Sequence, residues 1–361
     1  MRLGSTTIRR SSILPAAVLG AMLAVAPNMA GAAFKDPPVT LKGVDVYGTS
    51  VLTADAVKDE FKHEFHKIVE DNLKFKSPDA MKLQTQIVEK LKTRGDFAYL
   101  DLSVVAYPTP YRGYFITVDA VDAKDKATRM PFRADPTGDI ADTSGALAEW
   151  GEYSKQVLAL SQKFGGGLKP FDPKDCPVLY CVASFDEKEL QPFLDPLKDT
   201  ATKGADTLAQ MAIEDKNSNK RQVALFLLSF TNDAARVMPV LAKAVYDPNE
   251  LVRNDAMLIM ASIANKGIEV DYPIKDLSAA LDFPTTRGRN KAVAVIAILA
   301  KNDKYKRTIE QDAVPALLKL LRLEQPNNHE WAYETLKNLS GRNYKGEDYE
   351  AWDKWAATIQ S

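Results

Sequence analysis

The stretch Asp247-Pro248-Asn249-Glu250-Leu251-Val252-Arg253-Asn254-Asp255-Ala256-Met257-Leu258-Ile259-Met260-Ala261 reads as a turn, a helix start and a helix with a broad apolar face. Asp247-Pro248 ends one element, because proline cannot extend the hydrogen-bond ladder of a helix it follows. Leu251, Val252, Met257, Leu258 and Ala261 then fall at helical spacing. An Arg-x-x-Ala spacing recurs in Arg221 and Ala224, Arg253 and Ala256, and Arg289 and Ala292. The alanines lie 32 and 36 residues apart, and 40 residues further on Ala332 has His329 in the arginine's place. Each arginine copy is followed by another apolar helix carrying an early proline, Pro239, Pro273 or Pro315. A period in the mid-thirties made of helix pairs is the pattern of an α-solenoid. The sequence therefore predicts an all-α repeat array over 188–361.

Outward from that array, the whole chain has 361 residues, 45% hydrophobic and 26% charged, which suits a globular protein of two domains. Arg2, Arg9 and Arg10 precede an apolar run from Ile13 to Ala26, and Ala30-Gly31-Ala32 is a small-x-small site. These features predict a signal peptide over 1–32, cleaved near Ala32, and an exported protein, periplasmic or secreted. Its removal takes three arginines and no acid, so the formal charge of −1 becomes −1 − 3 = −4. That weak acidity disfavours nucleic acid as a partner, which selects for a basic surface. The apolar run is too short to span comfortably, and no later segment is long and apolar enough, so no stable membrane insertion is expected after cleavage.

Residues 39–123 read as an α+β domain in the order β-α-α-β-β. Val39 to Tyr47 alternates as a strand, and Thr53 is a good cap for a helix running to about Asn72. Ser77-Pro78-Asp79 opens a second helix, and the stretches Phe97 to Tyr107 and Tyr114 to Val121 are further strands. Residues 124–187 form a connecting segment. Its first part, 124–145, is polar and reads as a solvated loop. Leu147 to Phe164 is a helix, Gly165-Gly166-Gly167 is a break and hinge candidate, and Cys176 and Cys181 follow. A disulfide between them is compatible with export and requires the intervening residues to turn back, with Pro177 helping; two free buried thiols are the alternative.

Two resemblances follow from these residues. Asp247-Pro248, Val252-Arg253 with Ala256, and Arg221 and Arg289 at corresponding places make the C-terminal half similar to HEAT and HEAT-like repeat proteins. That resemblance implies protein contact across a concave helical surface. The stretch Leu41-Lys42-Gly43-Val44-Asp45-Val46-Tyr47-Gly48, then Leu52-Thr53-Ala54-Asp55-Ala56-Val57, the pair Gly95 and Phe97, and Ile116-Thr117-Val118-Asp119-Ala120-Val121 resemble a POTRA domain. It implies capture of a partner strand at a sheet edge, which offers unpaired backbone groups.

Chemistry leaves little trace. His63 and His66 share a helix face but lack a third ligand, so they read as solvated. No catalytic residue, cofactor or metal is implied. The recurring arginines are expected to form a ladder with acids of neighbouring repeats; alternatively Arg253, Arg287 and Arg289 meet an anionic partner. Trp352 and Trp355 share a helical face and either cap the last repeat or bind a ligand. The leading expectation is a non-catalytic exported scaffold or adaptor for protein partners. The alternatives are an envelope enzyme or enzyme regulator with a site near 165–181, and a glycan or small-ligand binder using the two tryptophans.

Overall fold

The computed structural model describes residues 39–107 and 110–359, so the expected signal peptide lies outside the described residues. A small sheet with its helices is followed by a long helical part. Strands β1 (Thr40–Tyr47), β2 (Phe97–Tyr107) and β3 (Gly113–Asp122) lie in the order β1-β3-β2, with β1 parallel and β2 antiparallel to β3. Between β1 and β2 come α1 (Ala54–Glu60), α2 (Lys62–Leu73) and α3 (Ser77–Lys92); a short α4 (Lys126–Arg129) follows β3. The single helix expected over 54–72 is two, because the backbone leaves helical geometry at Phe61 (φ −104°, ψ 19°). The kink leaves Val57, Phe61, Phe65 and Ile68 all in the core.

Strand alternation sorts the sheet's two faces. Val44, Leu100, Leu102, Ile116, Val118 and Ala120 pack with Phe61, Phe65, Ile87 and Leu91 of the covering helices. The alternate residues Asp45, Tyr47, Thr117 and Asp119 are buried as well. A buried polar face must find hydrogen-bond partners, and here the C-terminal helices supply them.

The described residues pack as two compact units, one of Pro136–Asp233 and one joining those between 39 and 135 to those between 234 and 359. Sheet and C-terminal helices thus belong to one body, a division that the boundaries read at 123/124 and 187/188 do not follow. The reason is the sheet's polar second face, which strand alternation alone does not assign to a partner.

Within Pro136–Asp233 lie α5 (Ala146–Lys163), α6 (Gln191–Lys203), α7 (Ala205–Glu214) and α8 (Ser218–Ser229). Gly165 and Gly166 adopt φ of +76° and +95°, and the Gly166 amide bonds back to Ser161 O, which stops α5. Cys176 and Cys181 are disulfide-bonded, with Cα atoms 5.7 Å apart. The loop they close lies on the end of α8: Leu179 N donates to Ser229 O, and the Ser229 hydroxyl donates to Tyr180 O. Tyr180 and Trp150 both stack on Phe226. Of the loop expected to be solvated over 124–145, the part from 136 on is pinned in this unit, since Ile140 N donates to the buried Asp215 carboxylate and Asp139 pairs with Lys216 and Lys220.

The other unit continues with α9 (Ala234–Ala244), α10 (Glu250–Asn265), α11 (Ile274–Ala280), α12 (Thr286–Leu299), α13 (Asp303–Leu321), α14 (Pro326–Ser340) and α15 (Tyr349–Ala357). Helix α10 packs on α12 and α12 on α14, while α11 packs on α13. Pro315, expected early in its helix, falls deep inside α13. In α10 the buried set is wider than one apolar face: Arg253, Asn254 and Asp255 are buried, while Leu251, Leu258 and Ala261 are only half-buried.

The turns before α8, α10, α12 and α14 are built alike. Asn217, Asn249, Thr285 and Gln325 cap these helices through side-chain oxygens. Four residues after each cap, a nitrogen-bearing side chain reaches back to the preceding carbonyls. Arg221 donates to Asp215 O (2.8 Å), Arg253 to Asp247 O (2.7 Å) and Pro248 O (3.0 Å), and Arg289 to Phe283 O (3.1 Å) and Pro284 O (2.9 Å). His329 does the same with Leu321 O at 2.6 Å. These bonds run to the carbonyls of the arginine's own turn, a contact the expected acid ladder did not include.

Arg289 also reaches the sheet. Its Nη2 donates to Asp119 Oδ1 of β3 at 2.6 Å, with both side chains almost wholly buried. Asp119 Oδ2 accepts from the Thr286 amide and hydroxyl (2.8 Å each) and from Ser103 (3.0 Å). Asp119 thus sits at the N-terminus of α12, where the helix dipole favours an anion. Arg289→Met leaves that buried carboxylate without its counter-charge and is expected to cost about 3–5 kcal/mol in chemical denaturation. In the first unit, non-reducing peptide mapping is expected to recover the Cys176–Cys181 link, and reduction to cost about 2 kcal/mol, as its short loop implies.

Candidate functional site

A cleft of about 510 Å³ opens within the second unit, where β1 ends and the docked helices begin. It is bordered by Tyr47, Gly48 and Ser50 after β1, by Asp122, Lys124 and Arg129 around α4, and by Asp282, Lys319 and Arg322 from the C-terminal helices. Gly48 makes its wall possible. It has φ +85°, and a Cβ there would strike the Arg129 guanidinium and Ala120 O.

Arg129 joins the parts. Its Nη1 donates to Gly48 O and Ala120 O, both at 2.7 Å, and its Nε to Asp282 O at 3.0 Å. Two guanidiniums lie over the Tyr47 ring, Arg289 at 3.9 Å and Arg129 at 5.3 Å from its centroid. Its hydroxyl donates to Asp282 Oδ1 at 2.6 Å, and burial, then the Asp282 charge, pushes its pKa up. Lys319 pairs with Asp282 Oδ2 at 3.1 Å, and Arg322 turns to Asp353. Of the residues bordering the cleft, Arg129 and Asp122 each bury one polar atom, Nη2 and Oδ1, that has no hydrogen-bond partner among the described residues.

Asp45 stands at the cleft's inner side. Its carboxylate accepts from Glu324 N (2.8 Å) and Gln325 N (2.9 Å), just ahead of α14. Burial pushes its pKa up to about 6, against the lowering effect of those two amides.

The residues singled out in the sequence fall elsewhere or in other roles. Arg253 stacks on Phe132 at 3.8 Å, and burial pulls its guanidinium down to about 10. Arg253 and Arg289 are buried at their turns and are not free to line an open anion-binding face, whereas Arg287 is exposed. Trp352 is enclosed, donates to Lys345 O at 2.9 Å and meets Tyr333 and Tyr344 edge-on, so it is unavailable to a glycan; Trp355 is half-buried. His63 and His66 are exposed on α2. Sequence reasoning missed Tyr47, Arg129 and Asp282. The one local signal was Gly48, which directly follows the strand read over 39–47.

No protein-family model matches this chain, and no curated protein matches it in sequence. The HEAT-like and POTRA-like resemblances rest on the residues quoted for them.

Asp45 has a consequence for pH. Its folded pKa of about 6 exceeds the ordinary 3.8, so the folded state holds this proton more tightly. The stability it contributes is fully present below pH 3.8 and is lost as pH rises through about 6. The shift corresponds to roughly 3 kcal/mol. The destabilisation caused by Asp45→Asn is therefore expected to be largest at low pH and to shrink toward neutrality, with the Asp45 carboxyl titrating near 6 by carbon-detected NMR.

Proposed function

We propose that this chain is a non-catalytic exported scaffold or adaptor that binds protein partners across the surface of a HEAT-like α-solenoid. One observation supports the reading above others: the cap, the side chain clamping the turn four residues later, and the small residue three beyond recur at four turns. Those small residues, Ala224, Ala256, Ala292 and Ala332, are all fully buried. Repeated turn chemistry repeats the direction in which each helix leaves its turn. Within the second unit α10, α12 and α14, stacked one on the next, offer a surface whose outward side chains are free to suit a partner.

The N-terminal domain takes a different part in this proposal than a free strand-capturing module does. Its sheet has helices on one face and the helix starts of the array on the other. At the β2 edge, the Leu102 amide donates to Asp101 Oδ1 at 2.8 Å, which withdraws one donor from any incoming strand. This favours the helical surface over the sheet edge as the contact. The reading of an enzyme near 165–181 finds less support, since Tyr180 of the disulfide loop stacks on Phe226.

Crosslinking mass spectrometry of the tagged mature protein in an envelope extract tests the proposal. Recurrent links from exposed Lys243, Lys275 and Lys301 to one protein are expected. Recovery of no partner overturns it, and links confined to α1–α3 overturn the choice of surface.

A further inference from the structure

We propose that the turn between α2 and α3 docks on the surface of a bilayer containing anionic lipid, with the Phe75 ring entering its apolar layer. The described residues expose five large hydrophobic side chains, and three of them, Leu73, Phe75 and Met81, lie between 73 and 81. Phe75 is 94% exposed, so its ring packs on almost nothing within the chain. Its backbone has φ +57°, a left-handed conformation that bulky side chains disfavour and that glycine ordinarily takes at the end of a helix. The turn is nevertheless fixed. The Lys76 amide donates to Asp71 O at 2.7 Å and the Phe75 amide to Asn72 O at 3.1 Å. The Lys76 carbonyl accepts from Asp79 N and Ala80 N, and Ala80 belongs to the core beneath the sheet's helices. The turn therefore holds the ring out in solvent. A residue that carries a backbone cost and a hydration cost, with no contact inside the chain, is compensated by contact outside it.

The charges select the occupant. Lys74 and Lys76 flank Phe75, and Lys82 follows Met81, all three exposed. Lys74 pairs with Glu70 one turn back on α2, and Lys67 pairs with the buried Asp71. Over 67–82 four lysines stand against Glu70, Asp71 and Asp79, so this stretch carries +4 − 3 = +1 in a chain whose formal charge is −1. A projecting ring among lysine stems suits a fluid, negatively charged interface. The ring enters the acyl layer, and the ammonium groups stay at the level of the headgroups. A bilayer needs no pocket shaped to the ring, whereas a protein partner does.

Co-sedimentation of the full mature chain with vesicles tests this, using phosphatidylcholine alone or with one third phosphatidylglycerol. Binding to the anionic vesicles is expected, weakened by added salt. Phe75→Gly removes the ring and relieves the left-handed backbone. That variant is expected to fold and melt as the unsubstituted chain does, while its partition onto anionic vesicles falls at least about tenfold. Phe75→Trp keeps an aromatic ring at the tip. Lipid brominated on its acyl chains is expected to quench its fluorescence beyond the quenching of the four native tryptophans. Lys76→Glu combined with Lys82→Glu is expected to abolish the preference for phosphatidylglycerol. Failure to bind anionic vesicles overturns the proposal and leaves the turn to a protein pocket. Equal partition of Phe75→Gly, no added quenching in Phe75→Trp, or binding indifferent to phosphatidylglycerol overturns it as well.

Discussion

The contact between Asp119 and Arg289 holds the second unit together. Burying a carboxylate and a guanidinium costs several kcal/mol per ion unless the remaining lone pairs and protons are satisfied. Here four donors from Arg289, Thr286 and Ser103 converge on Asp119. The pair joins the middle strand of the sheet to the middle one of three stacked helices, α10, α12 and α14. It also lies under Tyr47, whose ring covers the Arg289 guanidinium and whose hydroxyl reaches the cleft through Asp282. Removing the pair therefore disturbs docking and cleft together.

The same arrangement sets the register of docking. Arg289 clamps its own turn with Nη1 and pairs with the sheet through Nη2, while Thr286, the first residue of α12, adds an amide and a hydroxyl. The residue equivalent to Thr286 is Glu250 at the start of α10 and Pro326 at the start of α14. Glu250 would place a like charge beside Asp119, and Pro326 has no N–H to give. A slip by one helix pair therefore either sets the Glu250 carboxylate against Asp119 or, at Pro326, removes both the amide and the hydroxyl that Asp119 accepts from. Asp45 adds a second fixed point with the amides ahead of α14, and Phe132 a third under Arg253 at α10.

The order of elements and the positions of the long helices were legible, because apolar spacing, caps and glycine stops are local. The recurrence of Arg221, Arg253 and Arg289 was legible too, but not what they hold. Backbone carbonyls have no residue-type signature, and Asp119 lies 170 residues from Arg289. The cysteine pair was readable as a disulfide from its short spacing and Pro177. The cleft was not readable, since Tyr47, Arg129 and Asp282 come from three distant segments. Arg129 in particular falls in a stretch whose polar composition is that of a solvated loop. The tryptophans show the converse: their shared face was legible, but which ring the chain covers depends on Tyr333, Tyr344 and Lys345 around them.

Arg129 links the cleft to the docking of the sheet. Its three bonded hydrogens go to Gly48 O and Ala120 O on the sheet side and Asp282 O on the helical side, so one side chain bridges both. Losing Arg129 would unpair carbonyls on both sides at once, so the docking of the sheet and the shape of the cleft depend on the same side chain.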